Sequence, residues 1–248
     1  MKLILIFLSI LFCSFSAQAQ NQKATPLLVF SDSYVPMSWK SDEGLQGILV
    51  DVIKNTLSDV PIRFEGYPWA RAQVLVKRDD ADGFITIPTP ARLKYVKCSD
   101  EPVINVSIGI YTYENHPRMN ELLKVKSYND LKGFLISDYV GNGWAKKKFS
   151  RLNVTWAKTI EQTYKMLINK RADVLIRNQF NFGYFSQNLK GADKISKLPT
   201  SLSDVKFHLC IRKNSKHLNL LKTFDVAMQR LRQSGKYIEI LKRYNSAL

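Results

Sequence analysis

Residues 81–95, ADGFITIPTPARLKY, combine an apolar run, a proline-rich turn and an arginine. The run at residues 83–87 has the length and composition of a buried strand. The segments before it alternate strand-like runs with helical 3–4 spacing, which is typical of an α/β fold with a parallel sheet. The predicted order is a strand at residues 27–30, an amphipathic helix over 45–57, a strand at 62–64, a helix at 69–77 and the strand at 83–87.

The same alternation begins again after a strand predicted at residues 106–113. Thr159 and Gln162 have the spacing of a capping box at the start of a helix. The length of 248 residues fits two lobes of about 100 residues each. The other predicted elements are a short helix at 127–131, strands at 133–137, 172–176 and 205–212, a basic helix at 144–152, a long helix carrying the apolar residues 218, 221, 224, 228 and 231, and a last short helix.

The N-terminus has the features of a secretory signal. Lys2 precedes an apolar run over residues 3–12, and Ala17-Gln18-Ala19 matches a cleavage site. The run is shorter than the roughly 20 residues that a membrane-spanning anchor needs. Cys13 follows the bulky Phe12, which argues against a lipoprotein signal. We therefore predict that residues 1–19 are removed, that the protein is not lipidated, and that it lies in the periplasm.

The composition is that of an ordinary globular protein, with 45% hydrophobic and 23% charged residues. Without residues 1–19, 36 basic and 21 acidic side chains leave a formal charge of +15. The basic residues are scattered and lack the interleaved aromatic residues of a nucleic-acid stacking platform. We expect no nucleic-acid partner, and we interpret the charge as a solvated surface that favours solubility or an anionic partner.

Cys98 and Cys210 are the cysteines that remain after export. An exported protein can form a disulfide, but both residues lie in apolar, strand-like segments where buried free thiols are common. The sequence therefore favours free thiols over a bridge.

Several kinds of catalytic or metal-binding motif are missing from the sequence. His116, His208 and His217 are scattered rather than placed at metal-ligand spacing. There is no nucleophile elbow and no P-loop. A cysteine nucleophile paired with His208 is less favoured than a structural thiol beside a strand histidine. We expect no metal, no cofactor and no enzymatic activity.

Three groups of segments, taken in order, resemble one known family. They are residues 34–39 (YVPMSW) with 47–51 (GILVD), residues 68–72 (PWARA) with 81–83, 89–95 and 99–102, and residues 234–238 (SGKYI). Together they are similar to the family 3 extracellular solute-binding proteins, which are type II periplasmic binding proteins that deliver polar amino acids to ABC importers. The resemblance covers nearly the whole chain after residue 19.

The resemblance implies a monomer with two α/β lobes joined by two hinge strands. Each lobe would contain a mostly parallel sheet with flanking helices. Residues 20–109 and 205–248 would form lobe 1, and residues 110–204 would form lobe 2. A small solute carrying a carboxylate would be trapped in the cleft by hinge closure, and the protein would deliver it to an ABC permease.

The resemblance also assigns site residues in lobe 1. Arg92 would hold the carboxylate of the ligand, because a planar guanidinium forms two parallel charge-assisted bonds. Thr89 and Thr86 would add hydroxyl groups from the same loop. Tyr34 and Trp69 would sandwich the ligand side chain, with Trp39 as a further candidate on the adjoining loop; core packing is the alternative role for these aromatic residues.

Lobe 2 departs from the family pattern. Asn178, beside Arg177, stands where the family has an acidic residue for the ligand's ammonium group, and Asn142 lies in a Gly-Asn-Gly turn that lacks the usual hydroxyl. We hypothesise that the ligand is a small carboxylate or a modified amino acid rather than a standard L-amino acid. The alternative is a shift of the alignment that would bring Glu161 or Asp193 to this position.

Other functions on the same fold remain as alternatives. Some members of the family are periplasmic dehydratases, which need a general acid or base in the cleft. A protein that presents its solute to a membrane receptor, or one that binds envelope polyanions, would have the same overall sequence features.

Overall fold

The computed structural model describes residues 25–244, and the predicted signal segment 1–19 lies outside them. The strands are β1 Leu27–Ser31, β2 Ser33–Tyr34, β3 Ser38–Ser41, β4 Gly44–Gln46, β5 Arg63–Tyr67, β6 Gly83–Thr86, β7 Val96–Tyr113, β8 Leu135–Tyr139, β9 Asn153–Ala157, β10 Val174–Asn178 and β11 Ile195–Arg212. The helices are α1 Ile48–Thr56, α2 Trp69–Lys77, α3 Met119–Leu122, α4 Gly143–Lys148, α5 Ile160–Ile168, α6 Gln179–Asn188, α7 Leu220–Gln233 and α8 Lys236–Tyr244, with 3-10 turns at Tyr128–Leu131 and Ala192–Lys194.

An eight-stranded sheet in the order β5-β1-β6-β11-β7-β10-β8-β9 runs through the molecule. In one lobe β1 is parallel to β5 and β6, and in the other β8 is parallel to β9 and β10. A second small sheet contains β2, β3 and β4. The predicted two-lobed α/β fold with a mostly parallel sheet in each lobe is confirmed.

The strands β7 and β11 connect the two lobes and pair with each other in antiparallel fashion. Each is 18 residues long, whereas the sequence predicts only residues 106–113 and 205–212. The remaining segments contain polar residues and prolines such as Asp100, Glu101 and Pro199, which interrupt the apolar pattern of a strand. Backbone pairing between the two strands holds these segments extended, and the predicted lobe limits at 109/110 and 204/205 fall within them.

Apolar faces on the helices form the core of the lobe that contains both chain ends. The buried side chains of α1 include Ile48, Val52 and Ile53. Helix α7 buries Leu221, Phe224, Met228 and Leu231 from the stripe that the sequence predicts. Because α7 and α8 pack against α1, the C-terminal segment completes the lobe that the N-terminal segment begins.

Two elements of the other lobe differ from the prediction by two residues. The strand predicted at 133–137 is Leu135–Tyr139, and the strand predicted at 172–176 is Val174–Asn178. The predicted basic helix at 144–152 ends at Lys148. The capping box of Thr159 and Gln162 at the start of α5 is confirmed. The shift of the strands matters because Tyr139 and Asn178 become the last residues of two parallel strands.

Cys98 and Cys210 form a disulfide, so the expectation of free thiols is wrong. The register of β7 and β11 places the two cysteines directly opposite each other, with their Cα atoms 3.9 Å apart. Sequence context alone cannot detect this pairing, because 112 residues separate the two positions. None of the helices between residues 25 and 244 has the length and apolar character that a membrane crossing requires.

Candidate functional site

A cavity of about 90 Å³ lies between the two lobes. Residues from the carboxyl ends of β6, β8 and β10 contribute to its wall, and this is the edge of a parallel sheet where ligands usually bind. Six of the eight predicted site residues line it: Tyr34, Trp69, Thr86, Arg92, Asn142 and Asn178. The fold therefore brings together residues that lie up to 144 positions apart.

Arg92 is a buried cation in the cavity wall, with 7% of its surface exposed. Its Nη1 donates to the carbonyl oxygen of Ile87 at 2.9 Å, and its Nη2 and Nε donate to Oε1 of Gln73 at 2.9 and 3.3 Å. The guanidinium lies 5.4 Å from the ring centre of Trp69. Burial lowers the pKa of Arg92, and no carboxylate within residues 25–244 pairs with it. The site therefore presents a buried positive charge without a counterion.

Tyr34 and Trp69 form the aromatic part of the wall in lobe 1. The Tyr34 ring lies 6.5 Å from Phe207, and the Trp69 ring lies 5.8 Å from Phe84. Burial raises the pKa of Tyr34 to about 12, which keeps this hydroxyl protonated at neutral pH. Tyr34 and Trp69 therefore pack against aromatic residues of the core and also line the cavity.

The predicted hydroxyl residues of the loop have different positions. Thr86 is buried at the end of β6 and lines the cavity. Thr89 lies outside the cavity, where its hydroxyl accepts a hydrogen bond from the backbone N–H of Arg92 at 3.4 Å. Trp39 is also outside, with its ring edge-on to Tyr244 at 6.1 Å. The structure does not bring Thr89 and Trp39 to the cavity, because Thr89 stabilises the turn that holds Arg92 and Trp39 packs against α8.

Asn178 is the N-cap of α6 and also connects the lobes. Its Oδ1 accepts from the backbone N–H of Asn181 at 2.9 Å, and its Nδ2 donates to the Tyr34 hydroxyl at 2.7 Å. A second contact between the lobes runs from Nδ2 of Asn181 to the carbonyl oxygen of Val35 at 2.6 Å. Both polar atoms of the Asn178 side chain are thus used within the protein.

Asn142 has a similar arrangement at the start of α4. Its Oδ1 accepts from the backbone N–H of Ala145 at 3.1 Å, and its Nδ2 donates to Asp138 at 3.2 Å. The alternative acids lie elsewhere: Glu161 is exposed and pairs with Lys165, and Asp193 is exposed in the second 3-10 turn. Neither acid lines the cavity.

A buried ion pair joins Arg177 in the cavity wall to Asp138 behind it, with 3.3 Å between Nη1 and Oδ2. Nη1 of Arg177 also donates to the Ile176 carbonyl at 2.7 Å, and Nη2 donates to Thr163 at 2.9 Å. Burial opposes the charge on Arg177, but the Asp138 carboxylate and the neighbouring tyrosines together outweigh it, so the pKa of Arg177 is raised. The positive charge of Arg177 is therefore balanced inside the protein, unlike that of Arg92.

Sequence reasoning missed four aromatic residues of the cavity wall: Phe30, Tyr139, Trp144 and Phe207. Tyr139 could have been recognised as the last residue of β8, but the sequence pattern predicts this strand two residues too early, at 133–137. Burial raises the pKa of Tyr139 well above that of a free tyrosine, and Arg177 lies 5.6 Å from its ring. Its hydroxyl has no hydrogen-bond partner in the described part of the chain.

The residues that the structure describes contain no group of three His, Cys, Asp or Glu side chains placed to hold a metal ion. No Asp, Glu or His from this part of the chain lines the cavity. The site thus contains the guanidinium of Arg92, several hydroxyl groups, the amide side chains of the two asparagines that cap helices, and aromatic rings in its wall.

The family model for bacterial extracellular solute-binding proteins, family 3, matches residues 27–247. The chain belongs to this family. Membership agrees with the resemblance seen in the sequence, and it implies a periplasmic or secreted protein. No functionally curated protein matches the sequence.

Solved structures share the fold of this family 3 protein. A mutant of ArgBP from T. maritima superposes with a TM-score of 0.71 at 17% identity, over 92% of this chain and 97% of that one. The ancestral amino acid-binding protein AncCDT-1, a precursor of cyclohexadienyl dehydratase, gives 0.70 at 18% identity, over 92% and 99%. A histidine kinase sensor domain similar to periplasmic binding proteins gives 0.72 at 14% identity, over 89% and 95%. At these identities the likeness establishes the fold alone.

Proposed function

We propose that this protein captures a small solute that bears a carboxylate and delivers it to an ABC importer. The observation that carries the proposal is Arg92, a buried guanidinium in the cleft without an acidic partner among residues 25–244. A buried charge is costly unless it is paired. A carboxylate ligand supplies the missing charge and accepts charge-assisted hydrogen bonds.

The position of Arg92 explains how a bound anion would act on the two lobes. Arg92 comes from one lobe, whereas Tyr139, Asn142 and Arg177 reach the same cavity from the other. A ligand that contacts both sides favours the closed arrangement by its differential affinity for it. Exclusion of water on closure would then strengthen the bond to Arg92.

The size of the cavity limits the ligand. A cavity needs about 10–15 Å³ to hold one water molecule. A cavity of about 90 Å³ therefore has room for roughly six to nine atoms of water size. The aromatic walls suit an apolar or aromatic portion next to the carboxylate. We therefore expect a compact solute rather than a peptide or a sugar polymer.

The wall of the cavity supports binding rather than catalysis. A dehydratase needs a general acid or base within reach of its substrate. No Asp, Glu or His of the described residues lines the cavity, and the raised pKa values of Tyr34 and Tyr139 keep both hydroxyls protonated. We propose a monomeric, periplasmic binding protein that performs no chemistry.

A thermal-shift screen of ligand-free protein tests the binding function. The panel holds the twenty L-amino acids, their deaminated and hydroxy analogues, and small amines. A ligand at 100 times its dissociation constant stabilises the fold by about 2.7 kcal/mol, which is a shift of several degrees. Arg92→Ala should abolish the shift, while Arg71→Ala, which removes an exposed arginine near Tyr67, should retain it. A hit that survives Arg92→Ala would contradict the proposed site.

Deletion of the gene in its own organism tests the transport role. We expect loss of high-affinity uptake of the identified solute, with growth retained at high solute concentration. Unchanged uptake, accompanied by a lost transcriptional response to the solute, would contradict import and favour a sensory role.

A further inference from the structure

The cavity has an unbalanced charge of plus one. Arg92 and Arg177 are the charged residues in its wall. Asp138 neutralises Arg177 at 3.3 Å. Among residues 25–244, the partners of Arg92 are the amide of Gln73, the carbonyl of Ile87 and the Trp69 ring. A ligand with one net negative charge makes the closed cavity neutral. A zwitterion leaves the positive charge of Arg92 uncompensated, because its own two charges cancel.

The amide and carboxylate oxygens that could accept a hydrogen bond from an ammonium are already used, and the hydroxyls in the wall carry no negative charge to balance it. Oδ1 of Asn178 caps α6, and Oδ1 of Asn142 caps α4. Asp138 is completely buried and accepts hydrogen bonds from Asn142 and from the Tyr139 backbone N–H, in addition to its ion pair with Arg177. An ammonium in this cavity would meet two guanidinium groups and no free carboxylate from the part of the chain that the structure describes, which is an unfavourable electrostatic environment.

Three hydroxyls in the wall have no hydrogen-bond partner within residues 25–244: those of Ser38, Thr86 and Tyr139. Thr86 ends β6 in one lobe, and Tyr139 ends β8 in the other, so the hydroxyls approach the ligand from both sides. A hydroxyl that faces the cavity without a protein partner can donate a hydrogen bond to an oxygen of the ligand. Tyr139 lines the same cavity as Arg92 and interacts with its charge, so its hydroxyl is available to an anion that Arg92 holds.

From these contacts we infer that the ligand is a small monoanionic carboxylate that has no ammonium group and carries a hydroxyl or carbonyl oxygen. Tyr139 is the residue that recognises this oxygen. The class is that of 2-hydroxy and 2-oxo acids. The inference rests on the proposed function and deepens it by naming the substrate class. Tyr139 donates to the oxygen of the ligand, Thr86 adds a second hydroxyl, and Arg92 holds the carboxylate.

Matched ligand sets separate this class from amino acids. Each set has the same carbon skeleton: lactate, pyruvate, alanine and propionate; then 2-hydroxyisovalerate, 2-oxoisovalerate, valine and isovalerate; then phenyllactate, phenylpyruvate, phenylalanine and phenylpropionate. Hydroxy and amino acids are used as both enantiomers. Isothermal titration calorimetry with the full-length exported protein should show, in at least one set, a hydroxy or oxo acid bound about tenfold or more tightly than the amino acid and the plain acid.

Tyr139→Phe tests the specificity residue with little change in shape. It should weaken the preferred hydroxy or oxo acid about tenfold or more and bring it near the affinity of the plain acid. The control Tyr128→Phe removes a hydroxyl that bonds Ser203 at 2.7 Å outside the cavity and should leave ligand selectivity unchanged. The melting temperature of the ligand-free Tyr139→Phe protein checks that it is folded.

The outcomes distinguish this inference from the function on which it rests. Tightest binding of the amino acid in every set, with dependence on Arg92, would overturn the inference and leave the binding function standing. Equal binding of hydroxy, oxo and plain acids, or an unchanged preference in Tyr139→Phe, would overturn the role of Tyr139. Absence of Arg92-dependent binding for every compound would overturn both proposals.

Discussion

Arg92 and Arg177 show how the role of a residue depends on its partners. Both are buried guanidinium groups in the wall of the same cavity. Arg177 has Asp138 at 3.3 Å and serves the structure of its lobe. The partners of Arg92 within residues 25–244 are neutral, so it remains able to receive an anion. The balance of local charge, rather than the residue type, therefore separates the candidate ligand-binding arginine from the structural one.

Tyr34 provides a prediction about alkaline stability. Burial raises its pKa to about 12 in the folded protein, compared with about 10 for an unfolded tyrosine. The folded state therefore holds this proton more tightly, so its contribution to stability is complete below pH 10 and is lost as the pH rises from about 10 to 12. The free energy of unfolding in urea, measured at pH 9, 10 and 11, should be constant at first and then fall.

Tyr34→Phe should reduce this fall between pH 9 and pH 11 by about 1.3 kcal/mol. It should not abolish the fall, since burial also raises the pKa of Tyr111, Tyr139 and Tyr164. The variant also loses its bond to Asn178 at every pH, so the slopes are compared rather than the absolute values. Equal slopes for the two proteins would contradict the assigned pKa.

The ends of strands and the starts of helices position the residues of the site. β6, β8 and β10 place Thr86, Tyr139 and Asn178 at their last residues. Asn142 and Asn178 then cap the helices that follow β8 and β10. Polar side chains at these positions satisfy the free N–H groups of a helix start, and the same positions face the cleft. Two helix caps, Asn142 and Asn178, thus contribute to the cavity wall of this lobe.

Asn178→Asp changes the charge of one such element with almost no change in shape. The aspartate still caps α6, and it accepts a hydrogen bond from the Tyr34 hydroxyl instead of donating one. Its negative charge offsets that of Arg92, so the closed cavity becomes neutral with a zwitterion. We expect the affinity ratio of amino acid to hydroxy acid in each matched set to rise about tenfold or more, as measured by calorimetry.

Asn188→Asp is the matched control, because it adds the same charge to an exposed position at the other end of α6. It should leave the affinity ratio unchanged. If Asn178→Asp weakens amino acids and hydroxy acids equally, then the charge of the cavity does not select the ligand.

At the scale of the whole molecule, β7 and β11 carry all connections of the sheet between the lobes. Side chains add contacts across the cleft, from Asn178 to Tyr34 and from Asn181 to Val35. The Cys98–Cys210 disulfide joins β7 and β11 covalently, near the part of β11 that pairs with β6. The disulfide thus strengthens one lobe, while neither cysteine lines the cavity.

The disulfide therefore should affect stability and not binding. It closes a loop of 112 residues, and loss of such a bridge typically lowers the free energy of unfolding by about 2–4 kcal/mol. Cys98→Ala with Cys210→Ala should show this loss in chemical denaturation, while the affinity for the identified ligand stays within about twofold. Wild-type protein under reducing conditions should behave like the double variant, and the double variant should not respond to reductant. Unchanged stability would show that the bridge is not formed in solution.

Local pattern was sufficient for much of the fold. Apolar runs and 3–4 spacing gave the strands and helices near residues 27–87, and the Thr159 capping box marked the start of α5. These features depend on neighbours within a few positions, and hydrophobic periodicity and caps are encoded at that range. The ordered motifs also predicted the two-lobed family fold and six residues that line the cavity.

Only the tertiary structure decided which of these groups are free. Asn178 bonds to Tyr34 and Asn181, and Asp138 neutralises Arg177. The Tyr139 hydroxyl has no partner among the described residues. All three facts depend on strand register. The same register pairs Cys98 with Cys210 and extends the hinge strands to 18 residues. The sequence determined the kinds of chemical group at the cleft, and long-range packing determined their charge balance, because hydrogen bonds and ion pairs between distant segments exist only once the strands are aligned.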